Sequence, residues 1–240
     1  MKLLTAILLI MLVVPNSCFG AIAQDSSSLK DWASVGTTHT WAHTTSWSNL
    51  VLVVESFTTA GDPPDTVTFN GSSLTMQAQQ DSYTGDSNNV SQWTIINPDV
   101  GTYNIVVTFA GSNTTSHSAV SYTGVDTTDV PHDGPTAGPG HNTSSADVTD
   151  AMTTTVDGSY LVSAVYGVDA TRETGSMVVV ENAAAVSAGT HELSTAGAGS
   201  HSMTWNAGGG SFRFGAHITI AIAPVGAVSE PVKGALIIFK

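Results

Sequence analysis

From residue 49 onward, short runs of apolar and β-branched residues alternate with clusters of Gly, Asn, Asp and Pro. That rhythm predicts strands rather than helices. The runs cover residues 49–57, 66–69, 73–77, 91–96, 102–109, 116–125, 160–168, 177–180, 201–205 and 212–223. Within 102–109, Tyr103, Ile105, Val107 and Phe109 alternate with Thr102, Asn104 and Thr108. Along 212–222, Phe212, Phe214, Ala216, Ile218, Ile220 and Ile222 alternate with Arg213, Gly215, His217 and Thr219. Each alternation predicts one buried and one wet face. Residues 50–54 (LVLVV) are apolar at every position, which predicts a central strand covered on both sides. Between two β-prone runs stands Asn70-Gly71, the pair best suited to the positive φ angles of a two-residue hairpin turn.

Many short strands with no sustained helical period argue for an all-β sandwich or barrel of antiparallel strands. The longest stretch without strand character is 126–150 (DTTDVPHDGPTAGPGHNTSSADVTD), which predicts a long crossover loop. The strands on its two sides look complementary, so one domain is expected over 37–224. A polar, Ser-rich lead (24–36) precedes it, and a tail (225–240) ending in the β-prone run KGALIIFK follows.

The first 23 residues differ. Lys2, an apolar run from Leu3 to Val14, the break at Pro15-Asn16 and the small residues after it have the order of a secretory signal peptide. A short signal helix is expected there, with cleavage after Gly20 or after Ala23. The apolar run falls short of the roughly 20 residues a membrane span needs. Pro15, three residues before Cys18, does not suit a lipoprotein signal. Without Cys18, the sequence's single cysteine, the fold relies on its core rather than on disulfides. A secreted or cell-surface location, with no membrane contact after cleavage, is the expectation.

The formal net charge is −13, with 19 acidic residues against 6 basic ones. Such a surface repels nucleic acid and anionic lipid headgroups.

The matching pieces for a wider resemblance stand in order: His43-Thr-Thr-Ser-Trp-Ser-Asn-Leu-Val-Leu-Val-Val54, Val67-Thr-Phe-Asn-Gly-Ser-Ser-Leu-Thr75, and Trp93 through Asn-Pro98-Asp-Val-Gly101 to Thr108. Ala119-Val-Ser-Tyr-Thr-Gly-Val-Asp126, Gly158-Ser-Tyr-Leu-Val162 and a closing strand ending at Pro224 complete them. Over 37–224 the chain resembles an extracellular β-sandwich module of bacterial secreted and surface proteins, often found beside lectin-like or adhesive domains. The resemblance implies a jelly-roll-like sandwich and a non-catalytic surface role. It carries no activity that transfers residue by residue.

The search for chemistry is less productive. No G-x-S-x-G elbow occurs; Gly197-Ala-Gly-Ser-His201 lacks the spacing. His39 and His43 would share a strand face about 13 Å apart, too far for one metal ion. His132 and His141 lie in the long loop without a zinc spacing. Calcium is the better metal expectation, through Asp126, Asp129 and Asp133, with Asp62/Asp65 and Asp81/Asp86 as further pairs. None follows the EF-hand spacing, and turn initiation accounts for the same residues. Trp93 and Trp205 lie within strands and read as core. Trp41 and Trp47, in a Thr/Ser context, are either core or flat sugar platforms. Asn70, Asn89, Asn113 and Asn142 stand in N-x-[ST] triplets, acceptors where the host glycosylates exported proteins.

Three functions follow. The first is a non-catalytic structural or adhesive surface protein, self-assembling by strand addition through its tail into an oligomer or fibre. The second is a carbohydrate-binding module that meets surface glycans with exposed aromatics. The third and weakest is a glycan-active jelly-roll enzyme, which needs two carboxylates in one cleft.

Overall fold

The computed structural model describes residues 21–59, 62–81, 88–139, 148–167, 171–172, 176–183, 186–195, 197–206 and 216–226. The signal segment, Asn142, Phe212, Phe214 and the KGALIIFK tail lie outside them, as do the side chains of Trp205 and His191.

In chain order the strands are β1 (Ala23–Thr45), β2 (Leu50–Thr58), β3 (Thr66–Phe69), β4 (Ser72–Ser73) and β5 (Thr75–Asp81). Then come β6 (Asn89–Ile96), β7 (Gly101–Thr123), β8 (Asp133–Pro139), β9 (Val148–Thr154) and β10 (Tyr160–Gly167). The last are β11 (Thr171–Arg172), β12 (Ser176–Ala183), β13 (Val186–Ser194), β14 (Gly199–Asn206) and β15 (Ala216–Ile222). The described chain is all-β, its sheets are antiparallel, and one of them is nearly closed.

That sheet has the order β4-β3-β7-β2-β6-β5, with β1 paired along β7. β7 is long enough to serve two neighbours on one edge: its first half pairs with β3 and its second half with β2. Its other edge carries β1 from Ala23↔Thr123 to Thr45↔Gly101, with register shifts between Lys30 and Ser34 and between Gly36 and Thr38. Such irregularities bend a ribbon. Here the two halves of the β1–β7 ribbon come to face each other. The second sheet runs β12-β13-β10-β15-β8 and the third β11-β14-β9.

The pleat of β2 explains its unbroken apolar run. Leu52 and Val54 point into a core with Trp41, Val67, Phe69, Trp93, Ile105, Val107 and Phe109. Val51 and Val53 point the other way, against Val120, Tyr122, Val162, Ile220 and Ile222. The second sheet is covered on its far side too, where Leu161 and Ala221 pack on Met152 and Met203. β2 is therefore central and buried on both faces, and Trp93 is core, as the sequence predicts. So is the alternation of Ile105, Val107 and Phe109 with exposed Thr102 and Asn104. At the hairpin, Asn70 and Gly71 take φ of 48° and 78° between β3 and β4.

Four sequence expectations change. Residues 102–109 and 116–125 belong largely to one strand, β7, because β1 pairs along both. The polar lead is not separate from the sheet: it is the first half of β1, whose small hydroxyl side chains meet a polar interior. The expected wet face of β15 is dry, with His217 and Thr219 buried, because the third sheet covers it. The 126–150 stretch is not all loop, since β8 and the start of β9 fall inside it. β8 is an edge strand on β15, the place in a sheet where prolines such as Pro135 and Pro139 are tolerated.

Candidate functional site: the Trp47 groove and the histidine layer beneath it

β1 turns into β2 through Ser46–Asn49, and Asn49 adopts φ 61° to make the turn. Immediately beside it β7 ends at Thr123, and Gly124 takes φ 73°. A Cβ at Gly124 would stand 2.5 Å from the Ala21 carbonyl oxygen, so only glycine fits. The end of β15 closes against the same place. Asp126 N donates to Ala223 O (2.8 Å) and Val225 N to Gly124 O (2.7 Å).

These three chain segments enclose a groove of about 670 Å³, within the usual range for ligand sites. One wall is Trp47, Ser48 and Asn49, and the other runs from Thr123 to Thr128 with Val225. Trp47 is 65% exposed and Val225 51%, so the groove has an apolar lip. Asp126 faces it as the anionic group. Its Oδ1 accepts from Thr128 Oγ1 (2.7 Å) and Thr128 N (2.9 Å). Those bonds, the hydroxyl's first, hold the Asp126 carboxyl below its ordinary range.

Trp41 lies elsewhere. It is buried, and its indole stacks on His117 at 5.3 Å between ring centroids with planes 9° apart. Around it the folded β1–β7 ribbon closes on itself through one directed chain of hydrogen bonds. Trp41 Nε1–H donates to Ser28 Oγ (3.0 Å), and Ser28 Oγ lies 2.8 Å from His43 Nδ1. On the far side of the ring, His43 Nε2 meets Ser121 Oγ (3.2 Å) and Ser26 Oγ (3.3 Å). Ser121 Oγ donates to Asp25 Oδ2 (2.9 Å), and Ser26 Oγ donates to the Thr44 carbonyl. With both hydroxyl protons so committed, His43 donates from Nε2 and accepts at Nδ1. The network therefore fits one neutral tautomer. Ser46 N also donates to Asp25 Oδ2 (3.0 Å), which ties the Trp47 turn to the start of β1.

His39 and His117 continue this layer. Their ring centroids lie 5.3 Å apart, and both are buried. His39 Nε2 donates to the Gly36 carbonyl (3.2 Å), which leaves Nδ1 as a bare acceptor with no hydrogen-bond partner. His117 Nε2 pairs with Thr115 Oγ1 (2.9 Å), and its Nδ1 likewise has none. Burial lowers all three imidazoles below 6.5: His43 to about 4 against the opposing pull of Asp25, and His39 and His117 in the same direction. Lys30, the cross-strand neighbour of His117, depresses His39 and His117 again. In a nucleophile relay the imidazole stands between hydroxyl and carboxylate. Here Ser121 stands between His43 and Asp25, at depth, so the chain orders protons across a packed interface.

The candidate calcium ligands are not gathered. Asp126 turns to Thr128, Asp129 meets His132 Nδ1 (3.3 Å), and Asp133 accepts from Thr155 N (3.0 Å) and Oγ1 (2.9 Å). Among the triplet asparagines, Asn70 is exposed and donates to Asp99 Oδ2 (2.7 Å). Asn89 and Asn113 are buried in strands, and Asn89 Nδ2 donates to Asp81 Oδ1 (2.8 Å). The histidine layer was missed from sequence because His117 lies far along the chain from His39 and His43. The signal was present in the alternation His39, Trp41, His43 against Thr38, Thr40, Ala42.

Comparisons with protein-family models, with curated proteins and with solved structures found no match to this chain.

Proposed function

We propose that this is a non-catalytic, secreted or cell-surface adhesive protein of sandwich type that binds neutral glycans in the groove beside Trp47. One observation carries the reading: an exposed indole on a groove whose facing wall is a carboxylate, hydroxyls and backbone amides. The C–H face of a pyranose packs on a flat aromatic ring, while its hydroxyls need donors and acceptors at the edge. The turn that presents Trp47 is tied to Asp25, so the platform is held in place before a ligand arrives. Asp126 stays ionised and disfavours acidic sugars.

A glycan array followed by titration of the hits tests this. Trp47→Ala is expected to weaken binding at least tenfold without moving the melting temperature. An array without hits, or undiminished binding by Trp47→Ala, overturns it.

A further inference from the structure

We propose that the folded β1–β7 ribbon is an acid-opened clasp: charging His39, His43 and His117 frees β1 from the interior and withdraws the Trp47 wall of the groove. The link to ligand release rests on the glycan reading above; the opening itself does not.

The geometry leaves the protons added to His39 and His117 without partners and breaks up the hydrogen-bond order around His43. A proton on His39 must go to Nδ1, since Nε2–H is already given to Gly36, and no acceptor meets Nδ1 among the described residues. On His117 the free Nδ1 is equally without an acceptor. A proton on His43 Nδ1 would point at Ser28 Oγ, which would then accept from both Trp41 and the ring, so the Ser28 hydroxyl proton that the neutral ring accepts would have to turn away. Two of the three rings lie centroid to centroid at 5.3 Å, so each charge opposes the next.

The surrounding groups do not relieve this. From β1, Lys30 adds a positive charge opposite His117, and among the described side chains Asp25 offers a negative one, beside His43. From β7 the facing ionisable group is Tyr103, across from His43 in the register. The inward residues of β2, β3 and β6 are Leu52, Val54, Ser56, Val67, Phe69 and Trp93, none of which titrates near neutrality. β12 lies beside β1 and carries Glu181 as its ionisable residue.

β1 is also the strand that can leave. Among the described residues it pairs only with β7, so its departure breaks one ladder. Its loss removes the Asp25–Ser46 and Ser26–Thr44 bonds that hold the Trp47 turn.

Native-state hydrogen exchange and fluorine NMR of 5-fluorotryptophan-labelled full chain test the opening without any ligand. As pH falls from above 6.5 toward about 4, amides of β1 should lose protection at least tenfold before those of β2 and β10. The Trp41 resonance should shift in step as its stack on His117 is lost. The double variant His39→Gln with His117→Gln, neutral at every pH, should keep β1 protected further into acid. Equal loss across all sheets, or the same β1 midpoint in wild type and variant, overturns the proposal. Should the variant not fold, wild-type histidine titration by NMR decides: β1 protection that stays constant while His39 and His117 titrate overturns it. Elution by acid from a glycan that scores on the array tests release alone; an array without hits leaves the exchange result to decide the opening.

Discussion

His117 lies flat on the indole of Trp41, 5.3 Å between centroids and 9° from parallel, although the two belong to opposite halves of one folded ribbon. His117 sits in the half of β7 paired with Lys30, and Trp41 in the half of β1 paired with Ile105. Their contact is what the fold of the ribbon achieves, so Trp41 should be the side chain whose loss loosens it most. Trp41→Ala removes the stack, the donor to Ser28 and the filled volume together. A cost of about 3–5 kcal/mol is expected, read as a lower urea midpoint with unchanged slope. A cost near zero would mean the ribbon closes without it.

Stability should fall in mild acid. His43 has a folded value of about 4 against 6.5 when free, so the unfolded chain binds the proton more readily. The neutral ring's contribution is whole above 6.5 and is lost as pH falls through that value toward 4. For this residue alone the loss comes to about 3 kcal/mol. His39 and His117, lowered for the same reason, act in the same direction. Urea midpoints across this range check the sign; His43→Gln should flatten the slope.

Glu55 is fully buried between the first two sheets, where Gln92 Nε2 (2.9 Å) and Ser118 Oγ (3.0 Å) donate to its two oxygens. Glu55→Ala removes one acceptor from each donor, at about 1–3 kcal/mol for each bond lost, although Gln92 Nε2 keeps its bond to the Val162 carbonyl (3.1 Å). Glu55→Gln keeps one acceptor and should fall between wild type and alanine in thermal melts.

Gly124→Ala should cost about 1–3 kcal/mol, since φ 73° and the Ala21 carbonyl both oppose a side chain. The same substitution should reduce glycan affinity, because Gly124 lines the groove. Unchanged binding with lowered stability would separate the two roles.

For assembly by strand addition, the expected outcome is that deleting Leu236 to Lys240 abolishes oligomers and leaves a folded monomer. Light scattering that shows no change in size removes that idea.

Residues 50–54 were legible because a strand buried on both faces has no polar position to disguise it. β1 was not, since its inward residues Ser26, Ser28 and His43 are polar and meet polar partners, so hydropathy carries no trace of their burial. β15 misled for the converse reason: Thr219 and His217 look like a wet face until a third sheet covers them. Trp41 and Trp47 both stand in a short polar stretch rich in Thr and Ser. Only the fold of the ribbon puts one in the core and the other on the groove. The Asn70–Gly71 turn was legible because its backbone demand is local.

The pleat of β2 sends Val51 and Val53 to one core and Leu52 and Val54 to the next. The two cores consequently share a wall and cannot lose their order separately. Heating should melt β2, β7 and β10 in one cooperative step, with the calorimetric and van't Hoff enthalpies of that step in agreement. A substitution as small as Val53→Ala should then be felt by Trp93, on the side of the strand it does not face.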